Sequence, residues 1–214
     1  MSYNVKCSND ILRNKVDGSV KTRSKYVINN ILFYMPHSVG FQEVIKSKNK
    51  KAISWHKLLT EGLKDYYNCN TTERNHIFYN KNKLDLIDQE TKWLSPTPDI
   101  PYTQFPKPSD GLTRTLSYAI LKNKITGFCY LHINIHLDYK IKQKTIRQIK
   151  VVANFISKYK NNYPILLTGD FNSKKIKGEA VFYLLEHGYY DSADEAQDSF
   201  RYWTYPAIGY QKNI

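Results

Sequence analysis

PILLTGDFN, residues Pro164–Asn172, decides the fold class. Its apolar run is too short for a helix and reads as a buried strand over Pro164–Thr168. Gly169 breaks the run, and Asp170 and Asn172 follow two apart. Two short polar side chains at a strand end can converge on one water or phosphate oxygen. A strand closing in an Asx-type turn leaves the same pattern without any chemistry.

Outward from this stretch, strands and helices alternate. Residues 1–7 alternate in polarity, and SVGFQEV (Ser38–Val44), HIFY (His76–Tyr79), LSYAIL (Leu116–Leu121) and FCYLHINIHL (Phe128–Leu137) read as further strands. Ser24–Tyr34 places Val27, Ile28, Ile31 and Leu32 on one helical face, and Ile141–Tyr159 does the same with Ile146, Ile149, Ala153 and Ile156. Glu179–His187 reads as a short helix stopped by Gly188. Residues 93–111 hold a cluster of prolines and read as a long loop held down by Trp93, Tyr102 and Phe105. With no glycine-rich phosphate loop and no internal repeat, the class is α/β with mixed sheets, in one domain over 1–214.

The chain of 214 residues is 41% hydrophobic, enough for a sizeable core, and 14% aromatic, which excludes a disordered chain. A formal charge of +13 attracts polyanions such as nucleic acid, phosphoinositide head groups or an anionic membrane surface. A solvated basic face gives the same count without a ligand. Cys7, Cys69 and Cys129 have no metal-ligand spacing and read as reduced, packed thiols. With neither a secretory signal nor a membrane-length apolar run, the expected compartment is the cytoplasm, and membrane attachment is not favoured.

Chemistry-bearing residues stand at strand ends. Gln42-Glu43 closes the second strand, where a carboxylate suits Mg²⁺, which takes oxygen ligands and few protein carboxylates. Alternation puts Asn134, His136 and Asp138 on one face of a strand whose other face is Ile133, Ile135 and Leu137. Three polar groups there are costly in a core and useful in a cleft. His132 shares the face and reads as a packed, satisfied histidine. Asn4, in the first strand, can hold a metal or a phosphate oxygen.

In order, Tyr3-Asn4-Val5, FQEV (Phe41–Val44), ERNHIFYN (Glu73–Asn80), TRTLSYAIL (Thr113–Leu121), INIHLDY (Ile133–Tyr139), ILLTGDFNS (Ile165–Ser173) and YYD (Tyr189–Asp191) resemble the DNase I-like endonuclease/exonuclease/phosphatase superfamily. IFYNKNKLDLIDQETKWLSPTPDIP (Ile77–Pro101) is similar to a mainly bacterial branch of it. The resemblance implies a four-layer α/β sandwich: two packed mixed sheets with helices outside. It implies a Mg²⁺- or Mn²⁺-dependent phosphodiester or phosphomonoester hydrolase, most of all a nuclease-type phosphodiesterase. Glu43 and Asn4 match the metal-binding positions, Asp170 the carboxylate that deprotonates the attacking water, and Asn172 its supporting amide. His136 matches the histidine on the scissile phosphate, Glu73 the acid that orients it, and Arg114 and Asn134 the substrate contacts.

The resemblance also implies a further strand and an Asp-His pair beyond Ile214, and a longer first strand. The expectation is therefore a domain incomplete at its C-terminus, and possibly its N-terminus, that is weak or inactive as it stands. Nucleic acid is the first substrate class expected. Phospholipids or inositol phosphates form the second, and a non-catalytic polyanion-binding remnant the third. A monomer is expected.

Overall fold

The computed structural model describes residues 1–7, 19–45, 53–69, 74–106, 112–173 and 178–197. The first sheet has order β1-β2-β4-β3, from Ser2–Asn4 (β1), Ser38–Gln42 (β2), Tyr66–Asn68 (β3) and His76–Asn80 (β4). The second has order β5-β6-β7-β8, from Leu84–Trp93 (β5), Thr115–Asn123 (β6), Cys129–His136 (β7) and Ile165–Asp170 (β8). β1 runs parallel to β2 and β7 parallel to β8, while β2–β4, β3–β4, β5–β6 and β6–β7 are antiparallel. Both sheets are mixed, as expected. The helices are α1 (Val20–Tyr34), α2 (Trp55–Gly62), α3 (Lys142–Ser157), α4 (Glu179–Glu186) and α5 (Ser192–Glu195).

Strand alternation builds the layers. Val39 and Phe41 of β2 point outward and pack with Val27 and Ile31 of α1 and Trp55 and Leu59 of α2. Ile133, Ile135 and Leu137 likewise meet Ile149, Val152 and Ile156 of α3 and Leu184 of α4. The inward faces meet each other. At one end this inner layer is apolar, with Ile77, Ala119 and Leu121 in contact. Towards the carboxyl ends of β2, β7 and β8 it becomes polar, through Gln42, His132, Asn134 and Thr168. The sheets approach so closely there that a side chain on Gly40 would collide with Thr168 Oγ1 and Asn134.

Several boundaries differ from the sequence reading. α1 begins at Val20, because the Ser19 hydroxyl accepts from the Thr22 N–H and caps the helix earlier than the apolar stripe suggests. β5 occupies a stretch that the alternation did not mark. It is an edge strand with mostly polar residues, and a register shift between Leu86 and Asp88 breaks its period. The proline-rich loop is fastened as expected at Trp93, whose ring meets Tyr102 edge-on at 5.8 Å. Residues 107–111 lie outside the described part.

Candidate active site

The two parallel pairs bring the carboxyl ends of β1, β2, β7 and β8 to one edge of the sandwich, since β1 packs on β8 and β2 on both β7 and β8. Each of these strands ends on a polar residue: Asn4, Gln42 followed by Glu43, His136 and Asp170. Asn4 Nδ2 donates to Glu43 Oε1 at 3.0 Å and to Asp170 Oδ2 at 2.7 Å. His136 Nε2 stands 3.8 Å from that same Asp170 oxygen. Four of the residues expected at the site are therefore drawn together.

The backbone around them is held in an unusual shape. Lys6, Glu43 and Asn172 have φ of 52°, 63° and 48°, in the left-handed region that residues with a Cβ avoid at a cost of about 1–2 kcal/mol. Local bonds hold each in place. The Lys6 N–H donates to Asn4 Oδ1 at 2.9 Å, the Cys7 N–H to Glu43 Oε2 at 2.8 Å and the Asn172 N–H to Asp170 Oδ1 at 2.8 Å. Strain of this kind gathers where a site is preorganised.

Arg23 and Trp55, which the sequence did not single out, fasten the first of these turns. Arg23 Nη1 donates to the carbonyls of Val5 (2.6 Å) and Lys6 (3.1 Å), and Trp55 Nε1 donates to Lys6 O at 3.1 Å. The guanidinium also lies 5.2 Å over the Trp55 ring. Both act on backbone carbonyls, so only the folded turn reveals them.

Burial disfavours the charge on Glu43. The Cys7 amide, the Asn4 amide, the Cys7 thiol and the neighbouring His136 outweigh it and hold the carboxyl below its ordinary range. Burial, reinforced by Glu43, pushes the Cys7 thiol up instead, so the sulfur stays protonated beside an ionised carboxylate.

The remaining expectations fare differently. Asn134 corrects the expected substrate contact: it is fully buried, and both ends of its amide are occupied. Its Oδ1 accepts from Gln42 Nε2 (2.6 Å) and Thr168 Oγ1 (3.2 Å), and its Nδ2 donates to the carbonyls of Phe41 (2.8 Å) and His76 (3.0 Å). It ties the sheets together and cannot reach a ligand. Asp138 also leaves the cleft: it is buried, with Oδ2 2.9 Å from the ammonium of buried Lys144, and it accepts the Lys140 N–H.

Asn4 departs from the ligand role as well, since its oxygen takes the Lys6 amide and its nitrogen faces the carboxylates. Asn172 Nδ2 donates to Leu137 O at 2.8 Å, tying the loop after β8 to the end of β7. Arg114 is buried just before β6, at the same end of the sheet as His136, and its carbonyl accepts the Leu94 N–H at 2.7 Å. Glu73 lies outside the described residues. His132 is packed and satisfied, between Ser38 Oγ and Thr168 Oγ1 at 2.9 Å each.

No three His, Cys, Asp or Glu residues form a ready metal cage among the described residues. The donor set still fits one cation. Glu43 and Asp170 turn one oxygen each towards a shared point, both are hard ligands, and Mg²⁺ uses one or two carboxylates with water completing its shell.

No protein-family model matches the chain. It is 27% identical over 162 residues to uncharacterized protein L388 of Acanthamoeba polyphaga mimivirus, covering 72% of this chain and 59% of that protein. The chain thus spans less than two thirds of that relative's length. An endonuclease/exonuclease/phosphatase family protein from Bacteroides thetaiotaomicron superposes with a TM-score of 0.73 at 25% identity, over 87% of this chain and 67% of that one. Danio rerio TDP2, solved with a single-strand DNA product, superposes with a TM-score of 0.62 at 18% identity, over 85% and 63%. The chain has the DNase I-like endonuclease/exonuclease/phosphatase fold.

Proposed function

We propose that this chain, built on the endonuclease/exonuclease/phosphatase fold, is a metal-dependent phosphoric ester hydrolase whose substrates are phosphodiesters of nucleic acid. One observation carries the reading: Asn4, Glu43, His136 and Asp170, from four strands of two sheets, meet within hydrogen-bonding or ion-pairing reach. Nothing in packing the core demands that four polar strand ends converge, and the strained backbone at Lys6 and Glu43 costs stability. The formal charge of +13 favours a polyanionic substrate.

Glu43 would hold a Mg²⁺ or Mn²⁺ ion with water completing its shell, and the ion would supply positive charge beside the phosphate oxygens. The chain's own groups do the rest. Asp170, with one oxygen fixed by the Asn172 amide, aims the other at the water and takes its proton. His136 donates to a non-bridging phosphate oxygen as charge grows there. Asn4 keeps the carboxylates turned to one point. Arg114 and Asn172 serve as secondary supports near the phosphate.

The test is hydrolysis of bis-p-nitrophenyl phosphate with Mg²⁺ or Mn²⁺, comparing the chain with Glu43→Gln and Asp170→Asn. A general base is worth about 10²–10⁴-fold, so Asp170→Asn should reduce the rate by at least the lower figure. Metal-dependent hydrolysis that both variants retain would overturn the assignment of these residues. No hydrolysis by the chain, with salt-sensitive oligonucleotide binding kept, would favour a non-catalytic binding protein.

A further inference from the structure

A hollow of about 380 Å³ lies away from this site. It lies on the outer face of α3 against the start of α4, lined by Lys142, Gln143, Ile146, Arg147, Lys150 and Glu179. The hollow is open to solvent and suits an extended chain lying along it rather than an enclosed small molecule.

Its charge is one-sided. Lys142, Arg147 and Lys150 supply three cations against the single carboxylate of Glu179, which Lys142 engages at 3.1 Å. The placement runs against the helix. No acidic residue stands in the first turn of α3, and Ile141 gives it no side-chain cap, while Lys142 adds positive charge to the positive end of the dipole. Such a charge disfavours the helix, and an anion in the hollow offsets it.

Aromatic rings flank the cations. Lys150 Nζ lies 5.9 Å from the Tyr183 ring, and just before α3 Lys140 Nζ lies 5.5 Å from the ring of exposed Tyr139. Tyr139 and Lys140 are the chain's direct continuation from His136 and Leu137, so the basic strip starts at the rim of the candidate active site.

We infer that this α3–α4 groove binds the phosphodiester backbone of single-stranded nucleic acid beyond the point of cleavage, with exposed Tyr139 as a stacking surface. Only the occupant rests on the proposed function; the groove and its charge do not. Lys142 to Lys150 spans about 12 Å of helix at about 1.5 Å per residue. That length passes several phosphates at about 3.4 Å per stacked nucleotide. A charged groove with aromatic platforms is the arrangement that grips single strands without reading their sequence.

The experiment measures binding of a fluorescein-labelled oligothymidylate by anisotropy across a salt series, in EDTA so that nothing is cleaved. Single-strand binding loses about 0.7 of log–log salt slope per phosphate neutralised, so K142Q/R147Q/K150Q should flatten the slope by about 2. The same variant should hydrolyse bis-p-nitrophenyl phosphate at the unaltered rate. Glu179→Gln should change binding in the opposite direction and tighten it, which damage to the fold would not do.

An unchanged slope in the triple variant, or no tightening in Glu179→Gln, overturns the inference. So does loss of binding to phosphatidylserine vesicles with oligothymidylate binding intact, because the groove would then serve a membrane. If the chain shows no hydrolysis but these binding shifts occur, the proposed catalysis fails and the groove stands.

Discussion

Asn4 Nδ2 reaches Asp170 Oδ2 at 2.7 Å, so the carboxyl ends of β1 and β8 are joined through a side-chain amide. The same nitrogen reaches Glu43. Two carboxylates turned to one point repel, and a shared donor holds them there.

Asn4→Ala should therefore weaken metal use more than folding. Groups that orient metal ligands commonly change affinity or activity by about 10–100-fold when removed. The expected outcome is a rise of that order in the Mg²⁺ concentration for half-maximal hydrolysis, with little change in melting temperature, since Asn4 is exposed. Asn4→Asp should be worse, because it replaces the donor with a third negative charge.

Asn134 should behave in the reverse sense. Asn134→Ala takes its amide from the carbonyls of Phe41 and His76 in the buried inter-sheet layer, while Gln42 Nε2 keeps Ser2 Oγ and Gly40 O. Each orphaned group costs about 1–3 kcal/mol. Urea unfolding should show a loss of several kcal/mol, and the Michaelis constant of whatever folds should stay the same. A raised Michaelis constant with unchanged stability would restore Asn134 as a substrate contact.

The two asparagines show how far the sequence could be read. Period-two alternation gave the face shared by His132, Asn134 and His136, and the strand ends at Gln42 and Asp170 followed from where apolar runs stop. Alternation says which side of a sheet a residue faces, but not whether the opposite sheet covers it there. Asn134 is fully covered, while His136, at the strand end, is buried but keeps a small exposed part; Gly40 lets the sheets approach closely at Asn134. Arg23 and Trp55 were illegible for another reason. They act on backbone carbonyls of a turn, and a carbonyl carries no side-chain signature.

Arg23→Met should expose that indirect action. Losing the bonds to Val5 and Lys6 frees the turn that aims the Cys7 amide at Glu43. Glu43 then keeps the burial that opposes its charge while losing part of what overcomes it, so its pKa moves up. The acid limb of the pH–rate profile should shift to higher pH in Arg23→Met, and Arg23→Lys should restore part of it. An altered maximal rate with no shift of the limb would mean that Arg23 matters only for stability.

His132 makes the last expectation one about acid. Full burial holds its pKa down to about 3, against an ordinary 6.5, so the folded chain keeps the ring neutral where the unfolded chain protonates it. Between these values the unfolded state binds more protons, and stability must fall as pH drops below about 6.5. The slope from one such group is about 1.4 kcal/mol per pH unit. The neutral ring suits its neighbours, since one nitrogen can accept from Ser38 and the other donate to Thr168. Glu43, with its lowered pKa, adds to the same trend only at lower pH, where carboxylates titrate. Urea titrations between pH 5 and 7 should thus show a dependence that His132→Gln removes by about one proton, even though the variant is less stable throughout. An identical pH slope in the variant would mean that the buried imidazole titrates normally, and that the inter-sheet layer is wetter than its packing implies.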